Sequence, residues 1–314
     1  MRKVKRVIDL IEPKKKTLYT LNITKEQSVL LNTWLSKNLW TPYDVNYADF
    51  AYKSRDCNVV YYTSTKLVIQ GKGTEDFVTF VLEGQITKEA RLGYDEVLNP
   101  QYFESHAGVD ESGKGDLFGP LVSACVVADT DAVRKWVDEG LKESKKVTSD
   151  TAVMAMAKKI RATKNVAIKV SYANMTKYNE LYNRFGNLNK MLAWMHAKSV
   201  EGALAEKHVK WGMLDQFTKQ ALVQKQLNID DFELKMETKA ERDPVVAAAS
   251  IIARATYVYA MNKLSEECSI KLKKGASAQV KEQAVEIIKK FGKDALPKFA
   301  KMHFKTAKEA LYNS

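Results

Sequence analysis

The sequence predicts an α/β protein in two parts, a small α+β module followed by a larger α/β domain. Three observations carry that prediction. Residues 43–70 are rich in tyrosine and β-branched side chains, arranged in short runs of strand length. Beyond residue 105, apolar runs alternate with longer helical patterns, as they do in α/β domains. Between the two lies a stretch with few regular signals that includes Gly93 and Asn99-Pro100, which reads as a connection. The boundaries that follow are 1–90 for the first module, 91–104 for the linker and 105–314 for the second domain. A chain of 314 residues has ample length for two cores.

In the first module, Thr24-Lys-Glu-Gln27 has the spacing of a capping box and predicts a helix that buries Leu30, Leu31, Trp34 and Leu35. Ala48, Phe50 and Tyr52 share one side of a strand, and 58–63 and 66–70 form two more. Gly71-Lys-Gly73 then leads to Thr74, expected to cap a second helix carrying Phe77, Phe80 and Val81. In the second domain, strands are expected at 107–110, 119–127, 165–171, 209–215 and 231–237. Helices are expected at 130–140, 149–162, 187–207, 244–265 and 277–291. The helix at 187–207 gathers Leu188, Leu192, Met195 and Ser199 on one face, which predicts packing on the sheet. From Lys271 to Lys308 there are eleven lysines against three acids, a strongly basic end.

Lysine and arginine outnumber aspartate and glutamate 50 to 38, a net charge of +12. That balance suits a polyanionic partner such as nucleic acid. No run of about 18 consecutive apolar residues occurs, so no transmembrane segment is expected. The basic start Met1-Arg-Lys-Val-Lys-Arg6 is soon interrupted by acids and Pro13 and does not read as a secretory signal. Cys57, Cys125 and Cys268 are widely spaced and fit neither a disulfide framework nor a zinc site. The expectation is a cytoplasmic protein.

The chemistry concentrates in His106-Ala-Gly-Val-Asp-Glu-Ser-Gly-Lys-Gly-Asp-Leu-Phe-Gly-Pro120. Asp110 and Glu111 are adjacent carboxylates, hard oxygen donors suited to divalent cations. Gly113, Lys114 and Gly115 follow as a turn whose backbone amides can approach a phosphate closely. It is not a Walker loop, because the glycine spacing is wrong and Lys114 is followed by glycine. Successive strand residues face opposite ways, so Asp110 and Glu111 can share a site only where the strand ends. Asp215 closes another apolar run, Trp211-Gly-Met-Leu-Asp215. Glu241 and Asp243 stand just before a helix whose alanines and Ser250 permit close packing. Either acid could complete the set. His106 and His196 lack the helical spacing of a metal pair and read as structural.

These residues resemble the signature of the prokaryotic type 2 ribonucleases H, and of the ribonuclease HIII branch in particular. The likeness runs from Gly108 to Pro120 and through Glu143-Ser-Lys-Lys-Val-Thr148, Asn187 to His196, Leu214-Asp215 and Thr238-Lys-Ala-Glu241. It continues through Ala247 to Arg254 and Met302-His-Phe-Lys305, and Lys66 to Gly73 suits the first module. The resemblance implies a ribonuclease H-like mixed sheet flanked by helices, preceded by a small TATA-box-binding-protein-like domain. It implies an endonuclease that hydrolyses the RNA strand of RNA/DNA hybrids, with catalytic and metal-holding acids at Asp110, Glu111, Asp215 and Glu241. It further implies substrate contacts from Gly113, Lys114 and Gly115 to ribose 2′-hydroxyls, and from Lys145 to phosphate.

The chemistry expected is hydrolysis assisted by two divalent ions, magnesium or manganese, about 3.5–4 Å apart on the scissile phosphate. Products with 5′-phosphate and 3′-hydroxyl ends follow from the same resemblance. The partner is the hybrid duplex, with no membrane and no obligate protein partner, and the chain is expected to be a monomer. The basic first module would add phosphate affinity that falls with salt.

Overall fold

The computed structural model describes residues 17–88, 99–139, 141, 149–218, 222–238 and 240–312. It divides into two compact units, one up to Pro100 and one from Gln101 onward.

The first unit is α+β. Strands β1 (Leu18–Asn22), β2 (Thr41–Pro42), β3 (Ala48–Lys53), β4 (Asn58–Tyr62) and β5 (Lys66–Gln70) form an antiparallel sheet in the order β1-β5-β4-β3-β2. Helix α1 (Lys25–Lys37) starts at the expected capping box. Gln27 N–H donates to Thr24 Oγ1 (3.2 Å), and Thr24 N–H donates to Gln27 Oε1 (3.0 Å). Helix α2 (Thr74–Phe77) runs directly into a π-helical segment, Val78–Thr87. Leu31, Leu35, Val59, Leu67, Ile69, Val78 and Leu82 make the core.

Three expectations for this unit need correction. Leu30 is exposed, because the helix turns Leu31 and Leu35 inward and leaves Val29 and Leu30 outside. Phe80 is exposed too, since the π-helical pitch rotates it off the face that buries Val78, Val81 and Leu82. Thr74 is the first residue of α2 and not its cap. Its hydroxyl donates to the carbonyl of Gly71 (2.8 Å), and Gly73 occupies the cap position.

The second unit is built on strands β6 (His106–Ser112), β7 (Val122–Ala128), β8 (Ala167–Tyr172), β9 (Trp211–Asp215) and β10 (Glu233–Glu237), ordered β10-β9-β6-β7-β8. The sheet is mixed. β6 runs antiparallel to β7, and β7 to β8, while β9 is parallel to both β6 and β10. The helices are α3 (Thr130–Asp138), α4 (Asp150–Arg161), α5 (Met175–Phe185), α6 (Leu188–Glu206), α7 (Pro244–Cys268), α8 (Ala278–Phe291) and α9 (Lys305–Tyr312). Tyr102 and Phe103 are buried in this unit's core, so the end of the expected linker belongs to the domain. The expected strand 119–127 starts only at Val122, because Gly119 adopts φ +79° and Pro120 follows it.

Alternation along the strands sorts the core into two layers. Val109, Cys125, Val127 and Leu214 pack with Ala193, Ala197 and Val200 of α6. Ala124, Val126 and Met213 face the other way, with Val245, Val246 and Ala249 of α7. Every residue of β7 is buried, as expected of a central strand covered on both faces. By length and composition the 25-residue α7 could cross a membrane, but here most of its residues are buried against protein. Gly108 lets α7 come this close: a Cβ there would lie 2.3 Å from the Val245 carbonyl carbon.

Candidate active site

The parallel pairing of β6 with β9 ends at Val109 opposite Leu214. The next residue on each strand is an aspartate, Asp110 and Asp215. Alternation turns both toward the α7 face, together with Gly108 and Met213. Two carboxylates are thereby placed side by side at the carboxyl end of a sheet, where ligands of open α/β sheets collect. Asp110 accepts the Glu111 backbone N–H (2.7 Å) and a hydrogen bond from the Ser250 hydroxyl of α7. Burial first, then the charges of Glu111 and Asp215, push the Asp110 carboxyl up to about 7.

Glu111 lies on the α6 face of the same strand. His196 Nε2 is 3.2 Å from its Oε2, and Lys114 Nζ is 3.5 Å from its Oε1. Burial would raise this carboxyl, but His196 and then Lys114 outweigh it and hold Glu111 below the ordinary glutamate value. The opposite facing has a consequence for metal. Among the described residues, no three side chains of ligating type form one compact cluster. Asp110 nonetheless senses the charges of Glu111 and Asp215 at these strand ends, and an all-carboxylate set matches magnesium or manganese better than zinc.

Glu241 sits in a short 3-10 helix, Ala240–Arg242, which is tied to Asp215 because Ala240 N–H donates to Asp215 Oδ1 (3.0 Å). Asp243 is elsewhere in effect. It is wholly buried, its Oδ1 accepts the Val245 N–H (2.8 Å) as the cap of α7, and both its carboxylate oxygens face His106. The geometry therefore separates two acids that spacing leaves equivalent. His106 is structural, as expected; its ring stacks on Trp211 with centroids 4.3 Å apart. His196, also expected to be structural, touches Glu111 through Nε2.

The glycine turn is held from behind. Gly113 has φ +86°, and a Cβ there would lie 2.2 Å from the Pro120 carbonyl oxygen. At Gly115 a Cβ would meet nothing within 4 Å, so packing does not demand glycine there. Lys114 lies over the Phe217 ring, 5.1 Å from its centroid. The wholly buried Lys301 donates to the carbonyls of Asp116 (2.8 Å) and Gly119 (2.5 Å), while Tyr257 donates to that of Phe118 (3.1 Å). Sequence reasoning missed Lys301, because a lysine in a lysine-rich tail carries no mark of burial. Lys145, expected to contact phosphate, lies outside the described residues.

The family model described as Ribonuclease HII matches residues 107–307. Ribonuclease HIII of Chlamydia caviae is 39% identical over 84% of this chain and 87% of its own length. The chain belongs to the type 2 ribonuclease H family, on the ribonuclease HIII branch. Ribonuclease HIII of Protochlamydia amoebophila is 36% identical over 83% of the chain and 85% of its own length. Among solved structures, Bst ribonuclease HIII in complex with Mn2+ aligns with a TM-score of 0.64 at 28% identity, covering 95% of this chain and 99% of its own. Ribonuclease H3 of Aquifex aeolicus aligns with a TM-score of 0.55 at 27% identity, covering 91% and 100%. The second unit thus has the ribonuclease H-like fold, and the chain is an endoribonuclease H.

Proposed function

We propose that this ribonuclease HIII hydrolyses the RNA strand of RNA/DNA hybrids with two divalent cations, leaving 5′-phosphate and 3′-hydroxyl ends. The observation that carries this reading is the adjacency of Asp110 and Asp215, one residue past the last paired positions of β6 and β9. Two like charges at the ends of neighbouring strands, with Glu111 beside them, leave negative charge for which a cation is the natural partner. Asp110, Glu111, Asp215 and Glu241 would hold magnesium or manganese; the Mn2+ complex of the Bst relative supports the second as an acceptable ion. When bound, the cations supply Lewis-acid charge at the phosphate and lower the cost of deprotonating water.

The chain's own residues do the rest. Ser250 and the Glu111 amide orient Asp110. The Ala240 amide orients Asp215 and brings the 3-10 helix carrying Glu241 to it. The turn Gly113-Lys114-Gly115 presents backbone to the substrate and would read the ribose 2′-hydroxyl, which separates RNA from DNA. Lys145 and the basic first unit would add phosphate affinity. The enzyme acts as a cytoplasmic monomer in this reading.

The experiment is cleavage of a 5′-labelled uniform hybrid by wild type and Asp110→Asn with either metal, beside single-stranded RNA and a duplex holding one ribonucleotide. Metal-dependent cutting confined to the hybrid and lost in the variant is expected. Hybrid binding without cutting under either metal would overturn the reading.

A further inference from the structure

Glu111 is anchored from inside the protein as well as from its surface. Ser123 of β7 is its direct cross-strand partner. Above the pair, α6 places His196, with Nδ1 2.8 Å from Ser123 Oγ and Nε2 3.2 Å from Glu111 Oε2. Ser199, nearly one turn further along α6, lies 2.9 Å from Ser123 Oγ and 2.9 Å from the His196 carbonyl. Ser123, His196 and Ser199 are all fully buried. Buried polar groups stay only where their hydrogen bonds are met, and packing an apolar helix face needs no imidazole.

The hydrogen bonds give the cluster its rigidity. The Ser199 hydroxyl donates its one proton to the His196 carbonyl, and Ser123 Oγ lies between Ser199 Oγ and Nδ1, bracing the ring. A carboxylate only accepts, so Nε2–H is the donor to Glu111. One carboxylate oxygen, Oε2, is then held, and Oε1, which faces Lys114 at 3.5 Å, is the oxygen left outward.

We infer that His196 is a positioning residue for Glu111, its ring braced by Ser123 and Ser199 so that Nε2–H sets the orientation in which Glu111 meets a cation. The inference rests on the reading of Glu111 as a metal-holding acid. Partners of this kind, which orient a ligating carboxylate from behind, typically change metal affinity by about 10–100-fold when removed.

The test uses the full chain without substrate. Mn2+ affinity is measured from the free-ion electron paramagnetic resonance signal for wild type, H196L, H196Q and E111Q, with Tm for each. Leucine removes the donor at similar size, and glutamine can return an N–H near the position of Nε2. H196L is expected to bind Mn2+ at least about 10-fold more weakly, with H196Q restoring most of the loss. A purely structural histidine would lower Tm in both and leave Mn2+ affinity unchanged. Wild-type affinity in H196L while E111Q has lost it overturns the role of His196 alone. Wild-type affinity in E111Q as well overturns the reading of Glu111 itself, and this inference with it. Should H196L fail to fold, S123A removes the brace at Nδ1 without touching the ring. Weaker Mn2+ binding in folded S123A supports the positioning role, and unchanged binding overturns it.

Discussion

His106 Nε2 lies 2.8 and 3.0 Å from the two carboxylate oxygens of Asp243, and neither side chain meets solvent. That contact occupies Asp243, which also caps α7, and leaves the preceding 3-10 helix to present Glu241. The two acids should therefore fail differently. Glu241→Gln is expected to abolish hybrid cleavage with a smaller loss of Tm than Asp243→Ala. Asp243→Ala strands a buried histidine and removes a cap, costs of about 3 and 1 kcal/mol respectively. For a unit of this size the sum is roughly 8–16 °C in Tm. Thermal melts and single-turnover cleavage of both variants check the assignment.

Asp110 carries the opposite relation between stability and activity. Its carboxyl is disfavoured by burial and by Glu111 and Asp215, so the metal-free protein keeps it at a cost. The raised value means the native state binds the extra proton between the unfolded value near 3.8 and about 7. Stability from this group is therefore lost as pH rises through that window. Asp110→Asn should raise Tm of the metal-free protein at pH 7.5 by roughly 2–4 °C while eliminating cleavage. A fall in Tm would contradict this account of the site.

The two glycines of the turn should separate fold from substrate. Gly113→Ala places a methyl against the Pro120 carbonyl at a positive φ, and is expected to lower Tm and cleavage together. Gly115→Ala enters open space and should leave Tm as it is. A raised KM for hybrid in Gly115→Ala, at wild-type Tm, would show that the space there belongs to the substrate.

Lys301 makes stability depend on alkaline pH. Burial lowers its ammonium to about 7 from 10.5, against the pull of Asp116. Between those values the unfolded chain binds the extra proton, so stability should rise with pH from about 7 to 10.5. His303 adds a second window. Burial first, then Lys301 and Lys308, lower it to about 4, and stability should also rise from there to about 6.5. In Lys301→Met the alkaline slope of Tm should flatten. Cleavage should also drop, because the carbonyls of Asp116 and Gly119 lose the donor that holds the turn.

Much of the second unit was legible because its strands are short apolar runs closing on acids or glycine, and its helices carry strong periodic faces. β1 carries a weak signal, because Leu18–Asn22 is an edge strand whose core-facing Tyr19 and Leu21 are only partly buried. α5 was readable in principle. Asn174 caps it, Gly186 ends it, and Met175, Tyr178 and Leu181 recur at helical spacing. The carboxylates were legible as donors, but their relation was not. Asp243 differs from Glu241 in capping α7 and in facing a histidine 137 residues away. Likewise, a histidine within an apolar helix face reads as core until a glutamate 85 residues away is brought against it.

The close approach at Gly108 acts as a mechanical stop. Main chain meets main chain there, two residues before Asp110 on the same face, and nothing compressible lies between strand and helix. The separation of Asp110 from the helix that carries Ser250 is therefore gauged by backbone thickness, the least adjustable dimension in a protein. Changes in side-chain size elsewhere along α7 can be absorbed by the surrounding core without resetting that gauge. Any side chain at position 108 would reset it directly, wedging the helix away from the acid it steadies.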